Sequence, residues 1–185
     1  MLPRCDTFKE VIFVPRLVAY NESFIPGGKN PKVPPFAAVW HEAIAGRSKK
    51  EIISAFYQYF LHIRDVKHII LWVDNCSAQN KNWCIYSFFL YLVNCDEVAL
   101  NDLELKYFET GHTFIAADSF HHAVENSLKR KGKVYDFNDY LDAVSDSYKG
   151  VNVVQMNENS FYVWEDHTSQ YKLNKITPRP YLNSI

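Results

Sequence analysis

Hydrophobic positions along this sequence recur with the period of helices in some segments and with that of strands in others. Between 48 and 62, Ile52, Phe56 and Phe60 return every four residues, so they share one face of a predicted helix. The stretch 82–93 is apolar nearly all round, which predicts a helix buried between a sheet and another layer. Two further helices are predicted, at about 116–130 and at 135–147.

Other segments have the length and composition of strands. The run HIILWVD at 68–74 is continuously apolar and has polar neighbours, which predicts a central strand buried on both faces. Pro15 indicates an edge strand or a bulge in the first segment, and the turn-rich residues 21–35 follow it. The predicted strands are 11–20, 35–43, 68–74, 103–109 and 151–156. This order of strands and helices predicts an α/β fold with a mixed sheet flanked by helices.

Length and composition favour a single core domain with a small addition. The chain has 185 residues, of which 48% are hydrophobic and 22% charged, as in packed globular proteins. We predict a core at 1–133 and a C-terminal α+β appendage at 134–185, packed on the core. The formal net charge is -1, which argues against binding that needs a strongly cationic surface. A local basic patch can still bind nucleic acid.

The lengths of the apolar runs and the spacing of the cysteines indicate where in the cell the protein is located. Residues 84–93 are about half the ~20 residues that a membrane span needs, and the N-terminus lacks the layout of a signal peptide. Cys5, Cys76, Cys84 and Cys95 form no CxxC pair and are too few for a disulfide scaffold. We therefore predict free thiols, no membrane partner, and a nuclear or cytoplasmic location.

Two carboxylates are candidates for chemistry, and each has a structural alternative. Asp74 follows the most apolar strand, at the sheet edge where open α/β folds place their sites. Alternatively, Asp74 or Asn75 caps the following helix. Glu51 is either a functional carboxylate of the first helix or the N3 member of a capping box that begins at Ser48.

A third group of candidates lies in GHTFIAADSFHHAVE, at 111–125. Asp118, His122 and Glu125 are spaced i, i+4 and i+7, so they are predicted to share a helix face. Asp118 could be a simple N-cap and the histidines surface residues, or the group could bind a metal. Carboxylates suit Mg²⁺ or Mn²⁺, whereas imidazoles with carboxylates suit zinc. The ligands of the zinc alternative are His112, His121, His122 and Cys76.

Basic residues gather at the end of the third predicted helix and before the second. They could contact phosphates, or they could be solvated cations that the helix dipole favours at a C-terminus. The candidate nucleic-acid-binding residues are Lys81, Lys129, Arg130, Lys131 and Lys133.

Three strings, at 40–56, 71–89 and 105–125, carry a family resemblance. WHEAIAGRSKKEIISAF, LWVDNCSAQNKNWCIYSFF and LKYFETGHTFIAADSFHHAVE resemble a domain of eukaryotic proteins derived from mobile elements. That domain is similar to the catalytic cores of DDE-type transposases, retroviral integrases and ribonuclease H. The resemblance, which covers about residues 1–145, implies a ribonuclease H-like mixed sheet that lacks its first strand. Asp6, the only early aspartate, does not match the aspartate of that strand.

The resemblance also implies roles for individual residues. Glu51, Asp74 and Asp118 would be the metal-binding catalytic carboxylates, with Glu125 as the competitor of Asp118. His112 resembles the mobile histidine that ribonuclease H enzymes carry in a Gly-His loop. Two Mg²⁺ or Mn²⁺ ions held by such carboxylates activate a water or a 3′-hydroxyl for displacement at phosphorus. The leading hypothesis is therefore metal-dependent phosphoryl transfer on nucleic acid, with DNA as the expected partner, provided that the first carboxylate is supplied.

Two alternatives follow from the same sequence. Because the first-strand carboxylate is missing, the chain could be a catalytically dead, domesticated transposase domain that binds nucleic acid or protein. The other is the structural zinc-binding domain. A homo-oligomer is compatible with each hypothesis.

Overall fold

The computed structural model describes residues 17–28, 33–74, 80–109 and 116–164. This part of the chain contains both strands and helices. The strands are β1 (Ala19–Phe24), β2 (Phe36–His41), β3 (His68–Val73), β4 (Asp102–Tyr107) and β5 (Asn152–Gln155). The helices are α1 (Lys49–His62), α2 (Trp83–Leu92), α3 (Ala116–Lys131) and α4 (Phe137–Ser145), and a 3₁₀ turn covers Glu158–Ser160.

These strands form two separate sheets. β2 pairs with β1 in the antiparallel sense and with β5 in the parallel sense, and β3 pairs with β4 in parallel. Among the described residues no ladder joins β1 to β3, so the order β1-β2-β5 stands beside β3-β4. The predicted α/β class is confirmed: a small mixed sheet is flanked by helices.

β2 is the most buried strand because apolar layers cover both of its faces. Trp40 points into the larger core cluster, where it meets residues of α1 such as Ile53. Val39 points the other way, into a cluster that includes Val124 of α3 and Val144 of α4. The sheet is therefore held between α1 on one side and the α3–α4 pair on the other.

The segment after α4 packs on the core. β5 completes the first sheet, although it falls within the appendage predicted at 134–185. Beyond it, the backbone N–H of Tyr162 and the indole Nε1 of Trp164 donate hydrogen bonds to the buried Ser54 Oγ, at 3.1 and 3.0 Å. The boundary at 133/134 stays a prediction.

The first strand lies later than the sequence predicts. Strand was expected at 11–20 and turn from 21, but β1 extends through Phe24 because Glu22 and Phe24 pair with Ala38 and Phe36 of β2. The first part of the predicted strand, through residue 16, lies outside the described residues.

β3 is not the doubly buried central strand that its apolar run predicts. Its exposure alternates, with Ile70 and Trp72 54% and 55% exposed, whereas Ile69 and Leu71 pack against the main core. The difference arises because the described helices cover only the face that carries Ile69 and Leu71. α2 is largely buried as predicted, although Leu90 is exposed. No helix in the described ranges has the length and apolar character that crossing a membrane requires.

Candidate functional site

An open cleft of about 860 Å³ lies between β1 and β3. On the side of the cleft, neither strand pairs with another strand among the described residues. Apolar residues of α1, among them Ile52, Phe56 and Tyr59, also line the cleft. The start of α3 contributes to its lining as well. The polar and charged groups that line the cleft include Glu22, Arg47, Asp74, Asn80, Asp118 and His121.

Asp74 reaches the cleft because it directly follows β3. Its exposed carboxylate accepts a hydrogen bond from the side-chain amide of Asn80, which also donates to the backbone carbonyl of Asp74 at 3.3 Å. The helix α2 has a different cap, because Asn82 accepts from the N–H of Ile85 at 3.1 Å, and Asn75 lies outside the described residues. Asp74 is therefore held beside Asn80, with its carboxylate at the carboxyl end of a parallel strand.

The first two turns of α3 bring Asp118 and His121 to the same cleft. Desolvation lowers the pKa of His121 below its usual value, and the positive charge of Arg47 acts in the same direction. The carboxylates of Asp118 and Glu125 oppose the shift without cancelling it. His121 is therefore neutral near pH 7 and can accept a proton.

Glu22 and Arg47 form an ion pair in the cleft, with Arg47 Nη2 3.4 Å from Glu22 Oε2. Burial raises the pKa of Glu22, Arg47 lowers it in part, and the negative charge of Asp74 raises it further. Sequence reasoning missed Glu22 because it ended the first strand at Tyr20. The alternation of Tyr20, Glu22 and Phe24 was the available signal, since alternate strand residues share a face.

We expect Glu22→Gln to stabilise the protein at about pH 8 and to have little effect near pH 4. A raised pKa in the folded state favours folding while the carboxyl group is protonated, and that contribution is lost as pH rises through the folded pKa. Glutamine removes this partly buried charge, and a gain of about 1 kcal/mol would raise Tm by roughly 2–4 °C.

Thermal unfolding of both proteins at the two pH values checks this prediction. Glu104→Gln is the control, because Glu104 is 58% exposed and pairs with Lys106 at the surface. An equal gain for Glu22→Gln at both pH values would contradict the assigned pKa direction.

Glu51 does not line the cleft. Its buried carboxylate accepts hydrogen bonds from the backbone N–H of Ser48, at 2.8 Å, and from the Ser48 hydroxyl. The capping-box interpretation is confirmed, with Ser48 as the N-cap of α1. The structure therefore places Asp74 and Asp118 in the lining of one cleft and leaves Glu51 at the helix end.

The other histidine, cysteine and acidic candidates are not among the residues that line the cleft, or lie outside the described residues. His122 Nδ1 lies 3.9 Å from Glu125 Oε2 on the exposed surface of α3, so Glu125 pairs with His122 and is not among the residues lining the cleft. His112 and Cys76 lie outside the described residues. Within the described ranges, no three His, Cys, Asp or Glu side chains are arranged to hold a metal ion.

Residues 47–177 match the family described as "Domain of unknown function (DUF7869)". The chain belongs to the DUF7869 family. The match spans more than two thirds of the chain and includes Asp74, Asp118 and His121, whereas Glu22 precedes it. No curated protein and no solved structure matches the chain. In this DUF7869 chain the cleft therefore combines the matched region with a strand that lies before it.

The basic candidates of the DUF7869 chain are not among the residues that line the cleft, although Lys81 directly follows Asn80, which lines it. Lys131 bridges α3 to α4, with its Nζ 3.4 Å from Asp139 Oδ1 and 3.0 Å from Asp142 Oδ2. Lys81 places its Nζ 4.7 Å from the centroid of the Tyr107 ring. The other three, Lys129, Arg130 and Lys133, are exposed. The contacts of Lys131 support the structural interpretation of this basic run.

Proposed function

We propose that this DUF7869 domain has a ribonuclease H-like core and catalyses metal-dependent phosphoryl transfer on nucleic acid, with DNA as the substrate. The observation that carries the proposal is the single cleft shared by Asp74, after β3, and Asp118, in the first turn of α3. Open α/β sheets bind ligands at the carboxyl ends of their strands, where Asp74 stands. The family resemblance assigns metal binding to the same two residues.

The donor chemistry of the cleft suits Mg²⁺ or Mn²⁺. Carboxylate oxygens are hard ligands, and Mg²⁺ is commonly held by one or two carboxylates together with waters and substrate phosphates. Asp74 and Asp118 would hold the ion in this chain, and Asn80 would orient the Asp74 carboxylate. The bound ion would polarise the phosphoryl group and lower the pKa of the attacking oxygen.

Arg47 and His121 supply two further functions that phosphoryl transfer requires. The Arg47 guanidinium, whose side chain is 42% exposed, can pair with phosphate oxygens, for which its planar donors are well suited. The neutral His121 can accept the proton of an attacking hydroxyl. Glu22 holds Arg47 in the cleft, so its role is to position the guanidinium.

Cleavage of labelled DNA with Mn²⁺ or Mg²⁺ tests the proposal. We expect Asp74→Asn and Asp118→Asn each to reduce the rate at least about 100-fold, because a lost ligand removes several kcal/mol of charge stabilisation. The matched control is Asp65→Asn, which alters a 96% exposed aspartate. Asp65 lies in the turn before β3, whereas Asp74 follows the other end of that strand. Undiminished cleavage by Asp74→Asn would refute the assignment.

A second candidate is a catalytically inactive domain that binds nucleic acid. Two acidic side chains favour this candidate, because each is already bound by another residue of the chain. Glu51 accepts a hydrogen bond from Ser48, and Glu22 forms an ion pair with Arg47. For this candidate, wild-type protein would bind DNA with an affinity that falls steeply with salt, yet would cleave no DNA with either metal. Salt-independent binding would count against it.

A further inference from the structure

One face of the β3–β4 sheet joins the carboxylate of Asp74 to exposed aromatic rings. Alternate residues share a strand face, so Trp72 and Asp74 lie on the same side, and Trp72 is opposite Lys106 in the ladder. Phe108 follows β4 and donates its N–H to the carbonyl of Val73 at 3.1 Å. Trp72 and Phe108 line the cleft together with Asp74.

The two rings form a small platform, defined here as Trp72 with Phe108. Their centroids are 5.1 Å apart and their planes are inclined by 35°. Trp72 is 55% exposed although it lies within a strand, and its neighbour Ile70 on the same face is 54% exposed. Large apolar side chains grouped at the surface beside a cleft mark a binding surface.

A cation accompanies the platform. Lys106 Nζ lies 5.5 Å from the centroid of Trp72, and it also pairs with Glu104 Oε1 at 3.2 Å. An aromatic face with a neighbouring cation is the combination that binds a nucleobase by stacking and its phosphate by charge. Arg47 adds a second cation to the cleft lining.

We propose that the Trp72–Phe108 platform binds an unpaired nucleobase, so that the ligand of this cleft is single-stranded nucleic acid. This inference rests on the proposed function, whose substrate class it narrows. Bases within a duplex already stack on both faces, whereas an unpaired base can stack on a protein ring. A strand whose base lies on Trp72 would then run past Asp74, two residues further along β3 and about 7 Å away.

The test is the anisotropy of a dye-labelled oligothymidylate, titrated with the full chain in EDTA so that no metal or cleavage is involved. Wild type should bind the oligothymidylate more tightly than a blunt duplex of equal length. Trp72→Leu should weaken this binding about 5- to 150-fold, the range expected for the loss of one stacked base. Trp72→Phe should restore much of it, because a ring is retained.

Two further variants separate stacking from charge and from general surface effects. Lys106→Gln should reduce the slope of log K against log salt by about 0.7, the value for one phosphate contact on a single strand. Tyr148→Leu removes another large exposed side chain, 49% exposed in the turn after α4, and should bind as wild type does.

Several results would overturn the inference. These are an oligothymidylate affinity unchanged by Trp72→Leu, preference for the duplex, absence of binding, or a Trp72-dependent dimer that excludes the oligonucleotide. If the protein cleaves DNA with Mn²⁺ but its oligothymidylate affinity does not depend on Trp72, the platform is refuted and the proposed phosphoryl transfer is supported. If binding depends on Trp72 but no DNA is cleaved with either metal, the proposed catalysis is refuted and base stacking on the platform is supported.

Discussion

Trp40→Ala is expected to lower the free energy of unfolding by about 3–5 kcal/mol, or Tm by roughly 6–20 °C. Trp40 has no exposed surface, and its ring packs against Tyr20 and Phe161 at centroid distances of 5.4 and 5.7 Å. Alanine would leave a large cavity between β2 and the residues that cover it. Urea unfolding followed by far-UV circular dichroism measures the loss.

The indole of Trp40 also supports the cleft. Its Nε1 donates to the carbonyl of Gly46 at 2.9 Å, which ties down the loop that leads to Arg47. Trp40→Phe should keep most of the packing and lose this hydrogen bond, at a cost of about 1–2 kcal/mol. The control Trp83→Ala alters a 39% exposed residue and should cost less than either. A Trp40→Ala variant as stable as the control would contradict the assigned packing.

Ser54→Ala should reduce stability by about 2 kcal/mol, although it removes only one oxygen atom. Ser54 has no exposed surface, and its hydroxyl donates to the carbonyl of Lys50 at 2.9 Å. The same oxygen accepts from the Tyr162 N–H and the Trp164 indole, so alanine would remove the buried acceptor of both bonds. Urea unfolding measures the loss, and faster limited proteolysis at 157–164 would report release of that segment.

Ser145→Ala is the matched control for this effect. Its hydroxyl donates to the carbonyl of Leu141 at 3.0 Å, which is the same bond within a helix, but Ser145 is exposed. We expect a change below about 0.5 kcal/mol. Equal losses for the two serine variants would show that the contacts with Tyr162 and Trp164 do not stabilise the fold.

Features of the fold that depend on neighbouring residues, such as the position of a helix and its N-terminus, could be predicted from the sequence. The four-residue recurrence of Ile52, Phe56 and Phe60 located α1, and the Ser48–Glu51 spacing located its N-terminus. Exposure of β3 was not predictable in this way, because HIILWV carries no polar residue at its outward positions after His68. Which face a helix covers depends on long-range packing that a periodic pattern does not contain.

In the candidate site, too, positions set by local sequence were predicted, whereas positions set by long-range contacts were not. The position of Asp74 after an apolar strand was sufficient to place it in a cleft, and the start of α3 placed Asp118. Glu51 fitted two roles by residue type, and the contacts with Ser48 distinguish them. Glu22 was missed because the end of β1 depends on its pairing with β2, which lies beyond a turn-rich segment.

No ladder of the described chain joins the two sheets across the cleft. Paired strands are fixed about 4.8 Å apart by their ladders, but in the described chain β1 and β3 are connected through side-chain packing on α1 and α2. Contacts such as that of Phe56 with Phe89, at 5.9 Å between centroids, permit small sliding movements. A change in the separation of Glu22 from Asp74 would therefore repack side chains and leave every described β-ladder intact.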